Sequence, residues 1–137
     1  MISALSCCST NVNEKRRSLL VRYSNEEQKL IQIVYFLYID NPNLHIDVDC
    51  MFKIGTCTLN RFEERLTEHS RKFSSKISVV DFLIIPNASM EKDFHKFMDS
   101  KYPQYIISLE TADGKFKEIY KCHTEVVSLF YTKFRND

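Results

Sequence analysis

The sequence predicts an α+β fold in which helices flank a small central β-sheet that is mostly antiparallel. Apolar runs of strand character alternate with segments whose apolar residues recur at helical spacing. Only two glycines and three prolines occur in 137 residues, which argues against a turn-dense all-β sandwich. With 44% hydrophobic and 27% charged residues, the chain has the size of one globular domain, and we expect neither disorder nor a membrane span.

The first two strands are predicted from apolar and β-branched runs. Residues 31–39 are almost continuously apolar or aromatic, which is typical of a strand buried on both faces. Residues 40–43 break that run, and residues 51–56 form a second short strand that contains Gly55. Because glycine is scarce here, Gly55 indicates a positive φ or a close approach of another group to the backbone. We expect residues 31–39 and 51–55 to pair as neighbouring strands.

An amphipathic helix is predicted over residues 59–72. Phe62, Leu66 and Phe73 fall on one face at helical spacing, so we expect the helix to pack through Phe62 and Leu66. The opposite face carries a basic stripe, whose members are Arg61, Arg65, His69 and Lys72.

The basic stripe has two interpretations. Arg61, Arg65 and His69 stand at i, i+4 and i+8, where cations repel one another unless an anion such as phosphate lies between them. The alternative is a solvated helix face, softened by the glutamates interspersed along it. Since the formal net charge is only +1, any contact with nucleic acid must come from local clustering of this kind.

A third strand and a second amphipathic helix follow. Residues 76–86 return to strand character, and Asn87 or Ser89 then caps a helix. Glu91 and His95 lie one turn apart on one side of this helix. Its buried side comprises Phe94, Phe97 and Met98.

The C-terminal part is predicted as a turn, a strand and a helix. Asp113 and Gly114 form the turn, and residues 116–122 read as a last short strand. Thr124 begins the closing amphipathic helix. The apolar face of this helix comprises Val126, Val127, Phe130 and Phe134.

The N-terminal segment is predicted to lie outside the main domain. Residues 1–17 are rich in Ser, Cys and Asn and then basic, so we expect a loose arm that leads into a short helix. This divides the chain into an arm with a short helix over residues 1–30 and one domain over residues 31–137.

The cysteines indicate reduced thiols in an intracellular protein. Five occur at irregular spacing, and the adjacent Cys7 and Cys8 do not pair readily with each other. Cys50 and Cys57 have six residues between them, unlike the close pairs of structural zinc sites, so we expect no such site. Because the first residues lack the basic region of a secretory signal, we expect a soluble protein of the cytoplasm or nucleus.

Five elements along the chain occur in the order of a known set of motifs: the apolar strand over residues 31–39, the strand with Gly55, the helix over residues 61–69, the helix with Glu91 and the closing stretch. Residues 52–56, Phe-Lys-Ile-Gly-Thr, precede residues 61–69, Arg-Phe-Glu-Glu-Arg-Leu-Thr-Glu-His. Together they resemble the second strand and first helix of the GIY-YIG nuclease superfamily, in its phage and large-DNA-virus branch, where KIG replaces YIG. Residues 114–120, Gly-Lys-Phe-Lys-Glu-Ile-Tyr, resemble the KEIY element that closes this branch. The resemblance spans residues 31–134 and implies a GIY-YIG-like domain of viral or phage origin, active in an infected cell.

The resemblance implies a metal-dependent DNA endonuclease. One Mg²⁺ or Mn²⁺ ion is held by Glu91, with Glu118 as the next candidate carboxylate, and bridges the scissile phosphate. Arg65 stabilises the charge that develops on phosphorus, and His69 contacts phosphate or accepts a proton. Lys53 stands where other members have the second-strand tyrosine, and its ammonium lowers a neighbouring tyrosine pKa or binds phosphate.

A tyrosine with its associated water supplies the nucleophile in this superfamily. Tyr35 and Tyr38 both lie in the predicted first strand, where the family has its GIY motif. Residues two apart share a face of a strand and these are three apart, so only one faces the site. We prefer Tyr38.

Three functions stay open at this point. The chain is a metal-dependent DNA endonuclease, a DNA-binding module without turnover, or a protein-interaction domain that uses exposed Tyr and Phe. DNA is the partner that the resemblance implies, and a homodimer or a protein partner stays open. The residues expected to contact DNA are Lys15, Arg16, Arg17, Lys53, Arg61, Arg65, His69 and Lys72.

Overall fold

The structure, a computed structural model, describes residues 2–40, 49–111 and 114–135, and only the backbone of residues 2–11 and 111. The helices are α1 (Ile2–Arg22), α2 (Asn25–Gln28), α3 (Phe62–Phe73), α4 (Ser89–Lys101) and α5 (Thr124–Phe134). The strands are β1 (Gln32–Asp40), β2 (Cys50–Thr58), β3 (Ile77–Ile85), β4 (Leu109–Thr111), β5 (Gly114–Phe116) and β6 (Ile119–Lys121). The predicted α+β class is confirmed.

A four-stranded antiparallel sheet forms the centre, with strand order β3-β1-β2-β6. The predicted pairing of the first two strands is confirmed, with Tyr35 opposite Gly55 and Leu37 opposite Lys53. Successive side chains of a strand point to opposite faces, so these four residues share one face of the sheet.

The two faces of the sheet carry separate cores. On one face Phe36 and Phe52 pack against Phe94 of α4 and Phe130 of α5. On the other face β1 and β3 pack against α1 and α3. The members of this second core include Ile33, Tyr35, Leu37, Phe62 and Phe82. The sheet is therefore buried on both sides, which is why β1 is apolar throughout its length.

Helix α3 packs as predicted. Phe62 is fully buried, and Leu66 is half-buried against the same core. The helix ends at Ser74, whose φ of 50° is left-handed, a common way to terminate a helix. His69 departs from the expected basic stripe because it is buried under α3.

The prediction of a loose N-terminal arm was wrong. Residues 2–22 form one helix that packs along the edge strand β3. Its Val12 and Leu19 are buried in the core that contains Phe82. Lys15 donates to the buried carboxylate of Asp81 at 3.3 Å and to the main-chain carbonyl of Phe82. The helix therefore covers an edge strand that would otherwise face solvent.

The residues predicted as one strand over 116–122 belong to two strands, because Phe116 ends β5 and residues 119–121 form β6. β5 pairs with β4, which the sequence did not predict, whereas β6 joins the central sheet beside β2. Glu118 lies between β5 and β6 with a left-handed φ of 64°. Asp113 of the predicted turn and residues 41–43 of the predicted strand break lie outside the described residues.

Candidate active site

The candidate site lies where β6 stops pairing with β2. β6 pairs with residues 51–53 only, and beyond them the amide of Ile54 donates to the carbonyl of Glu118 at 3.2 Å. Helix α3 covers the sheet face that carries Lys53, whereas α4 packs on the opposite face. The site is thus assembled from both faces of the sheet at one edge.

Tyr35 and His69 form a buried hydrogen-bonded pair. The Tyr35 hydroxyl lies 2.8 Å from Nε2 of His69, which projects down from α3. The Tyr35 ring crosses over Gly55, so closely that a Cβ at Gly55 would lie 2.5 Å from the hydroxyl oxygen. Of the two reasons offered for this glycine, close approach is therefore the correct one.

Both members of this pair are neutral near pH 7. Burial raises the pKa of Tyr35, because the phenolate would lose its hydration. Burial lowers the pKa of His69 to about 4, and the positive charges of Lys53, Arg65 and Lys72 lower it further. A neutral imidazole beside a phenol can accept the proton of the phenol once an anion offsets the positive charges of Lys53, Arg65 and Lys72.

Lys53 is buried and held by the segment before β6. Its Nζ donates to the carbonyl of Lys117 at 3.0 Å and to the Glu118 carboxylate at 3.2 Å. Burial lowers the pKa of Lys53, although the negative charge of Glu118 opposes that effect.

Glu91, His95 and Glu118 bring three ligand-type atoms together. Oε2 of Glu91 lies 2.5 Å from Nε2 of His95, and Oε2 of Glu118 lies 3.3 Å from the same nitrogen. One ligand atom from each residue lies within 4.8 Å of the others. The other ring nitrogen of His95 is hydrogen-bonded to the hydroxyl of Tyr120, and the two rings are stacked with an interplanar angle of 4°.

Two atoms of this cluster are buried without a hydrogen-bond partner. Among the described residues these are Oε2 of Glu91 and Nε2 of His95, which lie 2.5 Å apart and form an ion pair when His95 is protonated. Glu91 is only 5% exposed. Burial of polar atoms without hydrogen bonds costs free energy. A bound cation would supply the missing partner for both atoms.

The two carboxyl groups of the cluster differ in pKa. Burial and the hydrogen bond with Glu91 raise the pKa of Glu118. Burial also opposes ionisation of Glu91, but His95 and Glu118 outweigh it and lower the pKa of Glu91. Glu91 therefore loses its proton more readily than Glu118 does.

Arg65 uses only part of its guanidinium group in hydrogen bonds with neighbouring residues. Its Nη1 donates to Glu68 at 3.3 Å, whereas its Nε is buried and has no partner among the described residues. Arg61 is more exposed and pairs with Glu64 and Glu68. Both arginines of the basic stripe therefore have acidic neighbours, as the solvated-face interpretation expected, but Arg65 keeps an N–H that a phosphate can use.

Four of the predicted site residues and Glu91 are connected by contacts or by charge: Tyr35 contacts His69, Lys53 contacts Glu118, and Glu118 shares its neighbour His95 with Glu91. The charges of Arg65 and Glu91 both act on Tyr35, and the charges of Lys53 and Arg65 both act on His69. Residues from β1, β2, α3 and α4 are thus brought into one electrostatic neighbourhood.

The preference for Tyr38 was wrong. Its ring contacts Phe52 on the opposite face of the sheet, against α4 and α5. Tyr35 and Tyr38 are three residues apart, so the alternation of the strand sends them to different faces, and the contact with His69 belongs to Tyr35.

The predicted N-terminal DNA contacts are largely engaged within the chain. Lys15 pairs with Asp81, and Arg16 pairs with Glu63 at 2.9 Å. Arg17 is exposed. Lys72 is also exposed, and its ammonium lies 4.8 Å from the centre of the Phe116 ring.

His95 was absent from the predicted ligand set. A signal existed, since Glu91 and His95 are four residues apart on one helix and such side chains are neighbours. For Glu118 no local signal gives its orientation, because a left-handed backbone between two short strands decides it.

A cleft of about 330 Å³ opens beside the cluster. His95, Glu118 and Tyr120 line it together with Asp99, Lys115 and Lys117. His95 and Glu118 therefore border an open cleft, although Nε2 of His95 is itself buried.

No family model, curated protein or solved structure matches the chain. None of the helices in the described part of the chain is long and apolar enough to cross a membrane.

Proposed function

We propose that this chain is a divalent-metal-dependent endonuclease of the GIY-YIG type that cleaves DNA phosphodiester bonds. The observation that carries the proposal is a set of contacts at one sheet edge. Tyr35 lies 2.8 Å from His69, Lys53 lies 3.2 Å from Glu118, and Glu118 and Glu91 both contact His95. The charges of Lys53 and Arg65 act on His69. A proton-accepting pair, a phosphate-binding cation and a buried carboxylate are the parts that phosphodiester hydrolysis needs.

Arg65 and Lys53 bind and stabilise the phosphate. The buried Nε of Arg65 has no partner among the described residues, so it is free to donate to a phosphate oxygen. An arginine stays charged throughout the reaction, and removal of water strengthens its attraction to the charge that develops on phosphorus. Lys53 adds a second positive charge next to Glu118.

Tyr35 and His69 move the proton of the attacking water. Tyr35 keeps its proton at neutral pH because burial raises its pKa, so it orients the water and passes its own proton to Nε2 of His69 as the water proton arrives. Bound phosphate offsets the cations that lower the pKa of His69, which makes the imidazole a better acceptor when substrate is present.

Glu91 would hold the metal ion. Its buried carboxylate, whose Oε2 lies 2.5 Å from Nε2 of His95, offers a hard oxygen ligand to a divalent cation. When bound, such an ion polarises the phosphate and lowers the pKa of water.

The test is a nicking assay on plasmid, branched and single-stranded DNA with Mg²⁺ or Mn²⁺. We expect nicking by the wild type and a loss of about 100-fold or more in Arg65→Ala and in Glu91→Gln, the scale for one transition-state contact. Arg71→Ala is the matched control, because Arg71 is an exposed arginine of the same helix. It should nick at the wild-type rate.

A DNA-binding module without turnover is the second candidate. Lys53 already neutralises Glu118 at 3.2 Å, so the site holds an internal cation next to its carboxylates. Wild-type protein that binds DNA and nicks none of the substrates with either metal would favour this module. Protein that neither binds nor nicks DNA contradicts both candidates.

A further inference from the structure

Helix α4 and the residue before β6 present a mixed set of donor atoms. Glu91 and Glu118 each offer a carboxylate oxygen, and His95 offers an imidazole nitrogen, all within 4.8 Å of one another. Glu91 is buried, and its Oε2 lies 2.5 Å from Nε2 of His95.

We propose that Glu91, His95 and Glu118 form a three-ligand site for a first-row transition-metal ion of the Mn²⁺, Co²⁺ and Zn²⁺ class, in preference to Mg²⁺. The inference rests on the proposed function, because it assigns the metal class and two further ligands to the same site. The site itself is a binding property that is measured without DNA.

The donor set decides the preference. Mg²⁺ takes oxygen ligands and water in octahedral geometry and gains little from an imidazole. Imidazole nitrogen suits the later first-row metals, whose affinities for mixed nitrogen and oxygen sites rise toward copper. A histidine ligand beside two carboxylates therefore adds little to the affinity for Mg²⁺ and raises the affinity for the transition metals.

The surroundings of His95 hold its ring in a ligand orientation. Tyr120 stacks on the ring and its hydroxyl is hydrogen-bonded to Nδ1. When Nδ1 donates its hydrogen to the Tyr120 oxygen, the lone pair of Nε2 is directed at Glu91 and Glu118. Metal-binding histidines commonly have such a partner on the second ring nitrogen, which fixes both tautomer and orientation.

Glu118 is positioned by its backbone and by Lys53. A φ of 64° is unfavourable for a residue with a side chain, and such conformations persist where surrounding contacts impose them. One carboxylate oxygen accepts from Lys53, and the other lies 3.3 Å from Nε2 of His95. Lys53 therefore leaves one Glu118 oxygen for the metal. The cleft lined by His95 and Glu118 lies next to this ligand set.

The experiment titrates metal-free protein with Co²⁺, Mn²⁺, Zn²⁺ and Mg²⁺ in the absence of DNA. Calorimetry gives affinity and stoichiometry, and the visible absorption of Co²⁺ reports its ligands. We expect one site per chain, with Mg²⁺ bound at least about 100-fold more weakly than Co²⁺ or Zn²⁺ and with the affinity for Mn²⁺ between them. Equal affinity for Mg²⁺, or a Co²⁺ spectrum with a thiolate charge-transfer band, would overturn the proposal.

Two variants locate the ion. His95→Gln and Glu118→Gln should each weaken Co²⁺ binding by roughly tenfold or more, and His95→Gln should narrow the gap between Co²⁺ and Mg²⁺. His123→Gln is the control, because His123 is an exposed histidine at the start of α5 and should leave binding unchanged. Circular dichroism checks that each variant is folded, and the wild-type metal preference is a test that needs no variant.

The outcomes separate this inference from the proposed function. Selective Co²⁺ and Mn²⁺ binding by a protein that nicks no DNA supports the metal site and rejects the nuclease. Nicking with Mg²⁺ that is unaffected by His95→Gln, together with unselective metal binding, supports the nuclease and rejects the three-ligand site.

Discussion

At the residue scale, the absence of a side chain at position 55 allows the contact between Tyr35 and His69. Tyr35 stands opposite Gly55 in the β1–β2 pair, and its ring occupies the space that a Cβ would need. The hydroxyl of Tyr35 then reaches His69 on α3. Gly55, the glycine of the KIG tripeptide, thus leaves the space that the Tyr35 ring on the neighbouring strand occupies.

We predict that Gly55→Ala displaces Tyr35 from His69. The new methyl group would lie 2.5 Å from the hydroxyl oxygen and 2.7 Å from the ring, so the ring must move. Overpacking of this kind costs about 1–3 kcal/mol of unfolding free energy, measured by urea denaturation. In a Tyr35→Ala background the same substitution should cost much less, because the space is vacated. Equal costs in both backgrounds would show that the ring is not the obstacle.

His69 gives the stability of the protein a defined pH dependence. Its pKa is about 4 in the folded state, whereas the ordinary value is 6.5. As pH falls below 6.5 the unfolded state binds a proton that the folded state does not, so stability is lost. From pH 7.5 to pH 5 this loss is on the order of 2 kcal/mol.

The measurement compares wild type with His69→Gln by urea unfolding at several pH values. Because the other groups titrate equally in both proteins, the free energy of unfolding of His69→Gln should fall by about 2 kcal/mol less than that of the wild type between pH 7.5 and pH 5. Parallel curves would mean that His69 is protonated in the folded state as readily as in the unfolded chain.

At the element scale, α1 and α3 stabilise the sheet face that carries the site. α3 packs through Phe62, whose ring contacts those of Tyr35 and Phe82. α1 is joined to α3 by the ion pair of Arg16 with Glu63. The positions of Arg65 and His69 therefore depend on the apolar packing of Phe62, one turn before Arg65 and two turns before His69 in α3.

We predict that Phe62→Ala lowers the free energy of unfolding by about 3–5 kcal/mol, the range for a buried aromatic residue. Leu66→Ala should cost less, because Leu66 is half-buried. Thr67→Ala, on the exposed side of the same helix, is the control and should have little effect. Thermal or urea unfolding checks the order. A cost for Leu66→Ala above that for Phe62→Ala would contradict this packing.

At the scale of the whole molecule, binding to DNA must come from local charge. The formal net charge is +1 at pH 7, and Lys15 and Arg16 are paired within the chain. The cations near the site include Lys53, Arg65 with its buried Nε and the exposed Lys72. Phosphate contacts made by such residues release counterions, so affinity falls with salt.

We predict micromolar duplex binding that is insensitive to sequence and weakens steeply as salt rises. Arg65→Ala should weaken binding and reduce the slope of log affinity against log salt by about one, the value for one lost phosphate contact. Glu91→Gln removes a negative charge near the phosphate and should leave metal-free binding equal or tighter. Fluorescence anisotropy over a salt series measures both effects. An affinity independent of salt contradicts phosphate binding at this site.

The sequence by itself determined the parts of the molecule that depend on local periodicity. The run over residues 31–39 and the short strand containing Gly55 predicted a neighbouring pair, and the spacing of Phe62 and Leu66 predicted the packed face of α3. These patterns are readable because one side chain in two or in every three to four meets the core.

The tertiary structure alone decided the N-terminal helix and the geometry of the site. Val12 and Leu19 of α1 gain their burial from the edge of β3, which is distant in sequence. Tyr35 rather than Tyr38 faces α3, because the register against Gly55 sets which strand face meets that helix. Glu118 reaches His95 only through the left-handed backbone that joins two strands of different sheets. Each of these depends on partners far along the chain, whose positions local propensity does not encode.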